Sequence, residues 1–361
     1  LEEEEEGMEQ LLEQTVARIG PLDAQAVAAA RERQRELTKP EGSLGRLEDL
    51  AVQIAGIRGE ARPRLVSPAV IVMAGDHGVA RQGVSAYPPE VTPQMVANFL
   101  GGGAAINVLA RHIGARVVVV DMGVAAELPE HPGLLRRKVA PGTADLSRGP
   151  AMTRDQARQA VESGIAVALA QIGQGADLIG TGDMGIGNTT PSSAIVAALS
   201  GRPPAEVTGR GTGVDDAGLA RKIAVIEHAL ALHRPDPADG LDILAKLGGF
   251  EIGGLAGVVL GAAAQRVPVV VDGFISGAAA LVALRLAPAV QPYIIAAHRS
   301  VERGHRAALE LLGATPLLDL DMRLGEGSGA ALGMSLCQAA CRLLDEMATF
   351  AEARVAGKLD A

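Results

Sequence analysis

Glycine frames each of the polar clusters in this sequence that could do chemistry. One runs Gly182-Asp183-Met184-Gly185-Ile186-Gly187-Asn188-Thr189-Thr190-Pro191 and follows an apolar, strand-like run. Thr190 reads as an N-cap, with Pro191 at the first helical position. Free backbone N–H groups at such a start bind phosphate, and glycine lets a ligand approach. The competing reading is a glycine-rich turn with an ordinary cap. The G-x-G-x-x-G spacing and a closing Lys-Ser/Thr are both missing, so this is neither a dinucleotide fingerprint nor a P-loop. A second cluster is Gly325-Glu326-Gly327-Ser328-Gly329. A carboxylate between glycines has no neighbouring side chains to shield it. It is either a close-approaching base with a raised pKa or a solvated loop glutamate.

Two further clusters carry less specific signals. Gly209-Arg210-Gly211-Thr212-Gly213 leads into Asp215 and Asp216, and then Lys222. Asp215 is placed to cap the helix bearing Lys222. Arg221 and Lys222 read as a solvated helix face, unless one of them reaches back to an anion. The last cluster joins Ala74-Gly75-Asp76-His77-Gly78-Val79 to Ser85-Ala86-Tyr87-Pro88, before a helix opened by Thr92 that carries Gln94 and Asn98. Asp76 and His77 lack a third ligand at sensible spacing, so no metal is expected. Asp76, His77 and Ser85 have the composition of a hydrolase triad, but no G-x-S-x-G elbow is present.

The elements that must position these clusters follow from periodicity. Met8–Ile19 and Ala24–Leu37 carry apolar residues at helical spacing, and Ser43 is placed to cap a third helix reaching Ile57. Short β-branched runs then appear at 69–73, 117–120, 177–180, 267–271 and 293–297, separated by Ala-rich helical stretches. Continuous apolar strands alternating with helices predict an α/β fold with a parallel sheet covered on both faces. Polar residues follow nearly every strand: Asp76 and His77, Asp121, Asp183, Asp272, then His298, Arg299 and Ser300. Ligands of such sheets bind outside the carboxyl ends of the strands, which predicts a cleft there. A last helix is expected over 329–348, returning to the N-terminal helices.

Bulk properties narrow the class. Of 361 residues, 48% are apolar but only 2% aromatic, so the core must be built from Ala, Val, Leu and Ile. A net charge of −9 with so few aromatic rings argues against nucleic-acid binding. Cys337 and Cys341, spaced i, i+4, read as two reduced core thiols suited to a cytoplasmic setting. The stretch from Val267 to Ala297 is interrupted by Asp272, Arg285 and prolines, so no membrane span is expected. Leu1–Gly7, acidic and without a signal-like pattern, read as a disordered lead-in.

Taken in order, these segments resemble one family, the nicotinate-nucleotide–dimethylbenzimidazole phosphoribosyltransferases, from about Leu37 to Met347. The resemblance is carried by Lys39-Pro40-Glu41-Gly42-Ser43-Leu44-Gly45-Arg46-Leu47, by Ala74 to Val79, and by Gln94-Met95-Val96 through Gly101 to Asn107. It continues through Met184 to Thr190, His298-Arg299-Ser300 and Gly325 to Gly329. It implies a Rossmann-like parallel sheet flanked by helices, at 61–328. It also implies a small helical domain from both chain ends, at 8–60 plus 329–350. It implies a homodimer that moves the phosphoribosyl group of nicotinate mononucleotide onto 5,6-dimethylbenzimidazole, with no cofactor or metal, in cobalamin assembly. The product is α-ribazole 5′-phosphate. By position, Glu326 matches the general base. Gly185, Gly187, Asn188, Thr189 and Ser300 match phosphate-binding segments. Ser85, Tyr87, Gln94, Met184 and Leu324 match the acceptor pocket, and Gly325 and Gly327, flanking the base, count with them among the implied substrate-binding residues. Lys222 matches a lysine near the ribose and phosphate, and Asp183 stands where relatives commonly carry Glu. The other readings are a Mg²⁺-dependent nucleotide hydrolase using Asp76, Asp183 and Asp272, and a non-catalytic nucleotide-binding protein.

Overall fold

A computed structural model describes residues 10–357. Expectations for the first nine residues, the lead-in and the Met8 helix start, lie outside the described residues. Helices α1 (Leu11–Arg18), α2 (Ala24–Glu36) and α3 (Arg46–Arg58) precede the first strand. Then follow β1 (Pro68–Gly75), α4 (Val91–Leu100), α5 (Ala105–Ile113), β2 (Arg116–Gly123), β3 (Leu134–Arg136) and α6 (Arg154–Gly173). The middle holds β4 (Leu178–Met184), α7 (Thr189–Ser200), α8 (Pro204–Val207), α9 (Asp216–His233), α10 (Gly240–Leu247) and α11 (Phe250–Ala264). The chain ends with β5 (Val269–Val271), α12 (Phe274–Leu286), β6 (Ile294–Ala296), α13 (Arg303–Leu312), α14 (Ser328–Glu346) and α15 (Phe350–Ala353).

The six strands form one parallel sheet in the order β3-β2-β1-β4-β5-β6. The strand order reverses between β1 and β4, and a crevice opens at such a switch point, at the carboxyl ends. All eight residues of β1 are buried, as a strand covered on both faces requires. Its side chains alternate between two cores. Ala69, Ile71 and Met73 pack with α6, α11 and α12, while Val70, Val72 and Ala74 pack with α3, α5 and α14. Cys337 and Cys341 are free thiols buried in the second core. Helix α14 returns to the N-terminal helices: it packs on α3, and Arg33 Nε donates to Leu344 O at 2.6 Å.

Three local expectations are corrected. Helix α3 starts at Arg46 behind Gly45, not at Ser43. Its start is secured by Glu48, which accepts from Leu44 N at 3.0 Å and pairs with Lys39 at 2.8 Å. Helix α7 starts at Thr189 behind Asn188, so Thr190 lies inside it and is no cap. The Thr190 N–H instead closes a turn onto Gly187 O at 3.0 Å. The sheet also has a sixth strand beyond the five expected: β3 is three residues at the sheet edge, with Arg136 exposed.

The aromatic-poor composition permits very close layers. A Cβ on Gly164 of α6 would lie 1.8 Å from Gly254 O of α11, and one on Gly257 would lie 1.9 Å from Val161 O. Gly164→Ala is therefore expected to cost about 1–3 kcal/mol by overpacking. Gly173→Ala on the same helix has nothing within 4 Å to meet, and should be neutral or gain up to about 1 kcal/mol. Urea denaturation of both variants checks the contrast.

Candidate active site

A cleft of about 430 Å³ opens at the switch point. Asp183 and Met184 reach it from the end of β4, and Asn188 and Thr189 from the loop and helix that follow. Ser300 comes from beyond β6, and Leu324, Gly325 and Glu326 from the segment before α14. Tyr87 lines its rim at 55% exposure. The structure thus brings together nine of the residues singled out in the sequence. Gly185 and Gly187 shape the loop behind the wall: a Cβ on Gly185 would lie 2.3 Å from Gly75 O, and Gly187 has φ +91°. Gln94 is exposed on α4 and is not among the lining residues. Ser85 sits at the mouth, its hydroxyl 3.2 Å from Thr212 Oγ1.

Glu326 is buried, and its backbone is left-handed at φ +63°, between Gly325 at +82° and Gly327 at +90°. That conformation costs a non-glycine residue about 1–2 kcal/mol, and such outliers gather at functional sites. It persists because the neighbours determine it. The Glu326 N–H donates to Asp183 O at 3.2 Å. Gly182 leaves the room: a Cβ there would lie 2.4 Å from Glu326 O. The carboxylate accepts from Ile106 N, in the first turn of α5, at 3.2 Å. Burial raises the Glu326 pKa above the ordinary carboxylate range, and the Ile106 N–H opposes this. The solvated-loop reading of Glu326 is excluded by that burial.

Two more carboxyls lie in this corner. Asp183 accepts from Asn188 Nδ2 at 2.9 Å. Burial pushes its pKa up to about 8, aided by Asp272 and Glu251 and opposed by the Asn188 amide. Asp272 is pushed up to about 7, chiefly by burial, against the N–H groups at the start of α14. Those N–H groups engage both its oxygens, and Asp76 gives one oxygen to Ala125 N at 2.8 Å. Among the described residues, no group of three or more His, Cys, Asp or Glu is arranged to hold a metal ion.

Lys222 overturns the solvated-face reading. It is fully buried, while Arg221 beside it is exposed. Asp215 caps α9 as expected, accepting from Gly218 N at 2.7 Å. The Lys222 ammonium donates to Thr189 Oγ1 at 2.6 Å, behind the cleft wall. Burial pushes its pKa down to about 8, with Glu302 opposing. Lys222 therefore stands just behind the Asn188–Thr189 segment. The N–H groups of Ile186, Asn188 and Thr190 are used within the protein, on Thr92 Oγ1, Gly185 O and Gly187 O.

Sequence reasoning missed Thr212, Glu302, Met95 and Arg323 as lining residues. Thr212 was signalled by its glycine-rich loop, and its hydroxyl accepts from Ala86 N at 2.9 Å, tying that loop to the Tyr87 segment. Met95 was signalled by the Gln94-Met95-Val96 segment, while Glu302 and Arg323 had no periodic or motif signal.

Comparison with known proteins shows the family. A family profile described as phosphoribosyltransferase matches residues 19–355. The nicotinate-nucleotide–dimethylbenzimidazole phosphoribosyltransferase of Roseiflexus sp. (strain RS-1) is 75% identical over 97% of this chain and 99% of its own. That of Chloroflexus aggregans is 71% identical over the same shares. A crystal structure of the enzyme of that name from Thermus thermophilus superposes with a TM-score of 0.89 at 49% identity, covering 93% of this chain and 100% of that one. The chain belongs to this family. It is a phosphoribosyltransferase.

Asp183 gives this phosphoribosyltransferase a readable pH signature. Its folded pKa of about 8 lies above the ordinary 3.8, so the folded protein keeps a proton that the unfolded chain releases. Its contribution to stability is present below about pH 4 and is lost as pH rises toward about 8. The thermal midpoint of Asp183→Asn, relative to wild type, is expected to climb across that window and then level. A pH-independent difference would show that Asp183 ionises in the ordinary range.

Proposed function

We propose that this enzyme transfers the phosphoribosyl group of nicotinate mononucleotide to 5,6-dimethylbenzimidazole, with Glu326 as the general base. The observation that carries the base assignment is a buried carboxylate held in a left-handed turn at the cleft, with its pKa raised. One benzimidazole nitrogen attacks C1′ of the ribose. The bond from C1′ to nicotinate breaks, and its electron pair returns to the pyridine nitrogen. Glu326 takes the proton from the other benzimidazole nitrogen as positive charge builds on that ring. The leaving group departs from a pyridinium, so it needs no proton from an acid. Attack opposite the leaving group turns a β-nucleotide into α-ribazole 5′-phosphate.

The remaining roles follow from position. Gly185, Gly187, Asn188, Thr189 and Ser300 hold the phosphate. Lys222 supports it through Thr189, its Nζ lying 2.6 Å from the hydroxyl. Ser85, Tyr87, Met184 and Leu324 surround the acceptor base, while Gln94, which is exposed and outside the cleft lining, is left without that role. Tyr87 and Leu324 are large side chains left 55% and 58% exposed at the rim, and this supports a homodimer whose second subunit covers the mouth. The packing of α14 on α2 and α3 supports a small helical unit drawn from both chain ends, while α1 packs on α6 and α11 of the large unit. The buried free thiols suit a reducing cytoplasm, and among the described residues no helix is long and apolar enough to cross a membrane.

Glu326→Gln keeps the shape of the side chain but cannot accept the proton. With EDTA present, its turnover is expected to fall ~10²–10⁴-fold while nicotinate mononucleotide still binds. Chromatography of α-ribazole 5′-phosphate and nicotinate reads the rate. Full activity in this variant would remove Glu326 as the base and leave Asp183 as the next residue to test.

A further inference from the structure

The turn that presents Glu326 is anchored from both sides. Before it, the Glu326 N–H is tied to Asp183 O on β4. After it, the chain enters α14, whose first N–H groups have no partner within the helix. Asp272 supplies one. Its Oδ2 accepts from Gly327 N at 3.3 Å and its Oδ1 from Ala330 N at 2.9 Å. Asp272 is only 1% exposed, so bulk solvent does not reach these bonds. It is itself fixed, because its own N–H donates to Thr181 Oγ1 at 3.2 Å on the neighbouring strand β4. The bond to Gly327 falls on the residue next to Glu326, at φ +90°. One carboxylate therefore spans the end of β5, the turn and the start of α14.

We propose that Asp272 is a positioning residue for the transfer, holding Glu326 at the acceptor nitrogen without touching the substrates. This rests on Glu326 being the base. An amide cannot do the same work: Asp272→Asn can orient one oxygen to a single N–H and must aim its NH₂ at the other. The turn then loses an anchor, and displacement of a reacting group by about 1 Å can cost on the order of 10²-fold in rate.

A double-mutant cycle of Asp272→Asn with Glu326→Gln tests this, using steady-state kinetics with both substrates and thermal unfolding as a check on folding. Asp272→Asn is expected to lower kcat ~10–100-fold, with KM for nicotinate mononucleotide nearly unchanged. In the Glu326→Gln background it should lower kcat no further, because there is no base left to position. An equal loss in both backgrounds, or a raised KM with unchanged kcat, would overturn the proposal and mark Asp272 as generally structural. If Asp272→Asn does not fold, Thr181→Val takes its place. That change removes only the acceptor for the Asp272 N–H, and is expected to lower kcat several-fold with the same non-additivity; additivity there would equally overturn the proposal. A fully active Glu326→Gln would instead remove the base assignment and this proposal with it, an outcome distinct from an inactive Glu326→Gln with additive losses.

Discussion

A carboxylate can be kept out of water only if something else hydrogen-bonds it, and in this protein the starts of two helices do so. Ile106, in the first turn of α5, donates to Glu326, and the first N–H groups of α14 donate to Asp272. Helix starts are suited to this because their N–H groups are unpaired and their dipoles favour negative charge. The arrangement stabilises the carboxylates enough to exist there, yet burial still raises their proton affinity. A group that must take a proton from a ring nitrogen near neutral pH benefits from that balance.

The sheet determines where those helix starts fall. With the strand order reversing between β1 and β4, the loops after these strands turn to opposite sides and leave a crevice. Asp183 closes the floor at the end of β4, and the Glu326 turn lies directly over Gly182. Glycine matters at two points: Gly182 lets the turn approach, and Gly327 takes the left-handed conformation that side chains resist. Elsewhere small residues let helices α6 and α11 meet backbone to backbone, which gives a nearly aromatic-free chain a dense core.

Much of this was legible in the sequence. Buried parallel strands read as continuous apolar runs, so five of the six strands and the placement of polar residues at their ends followed from the pattern of those runs. The short β3 was not legible, because three residues ending in an exposed Arg carry no such run. Glu326 stood out through its flanking glycines, but its burial depends on α5, far away in the chain. The roles of Lys222 and Asp272 depend likewise on tertiary contacts: nothing in helical periodicity distinguished the buried Lys222 from the exposed Arg221. The helix start at Thr189 was misplaced because local propensity favoured a Thr-Pro start, while the turn from Gly185 to Asn188 set the real one.

The central claim is that the Glu326 carboxylate, with its raised pKa, accepts the acceptor's proton during transfer. The most direct measurement is the pH dependence of kcat, with both substrates saturating, for wild type and Glu326→Gln. In wild type, kcat should fall on the acid side through one ionisation lying above the ordinary carboxylate range. In the slower variant that acid limb should be absent. The same acid limb in both proteins would contradict the account and place the base elsewhere.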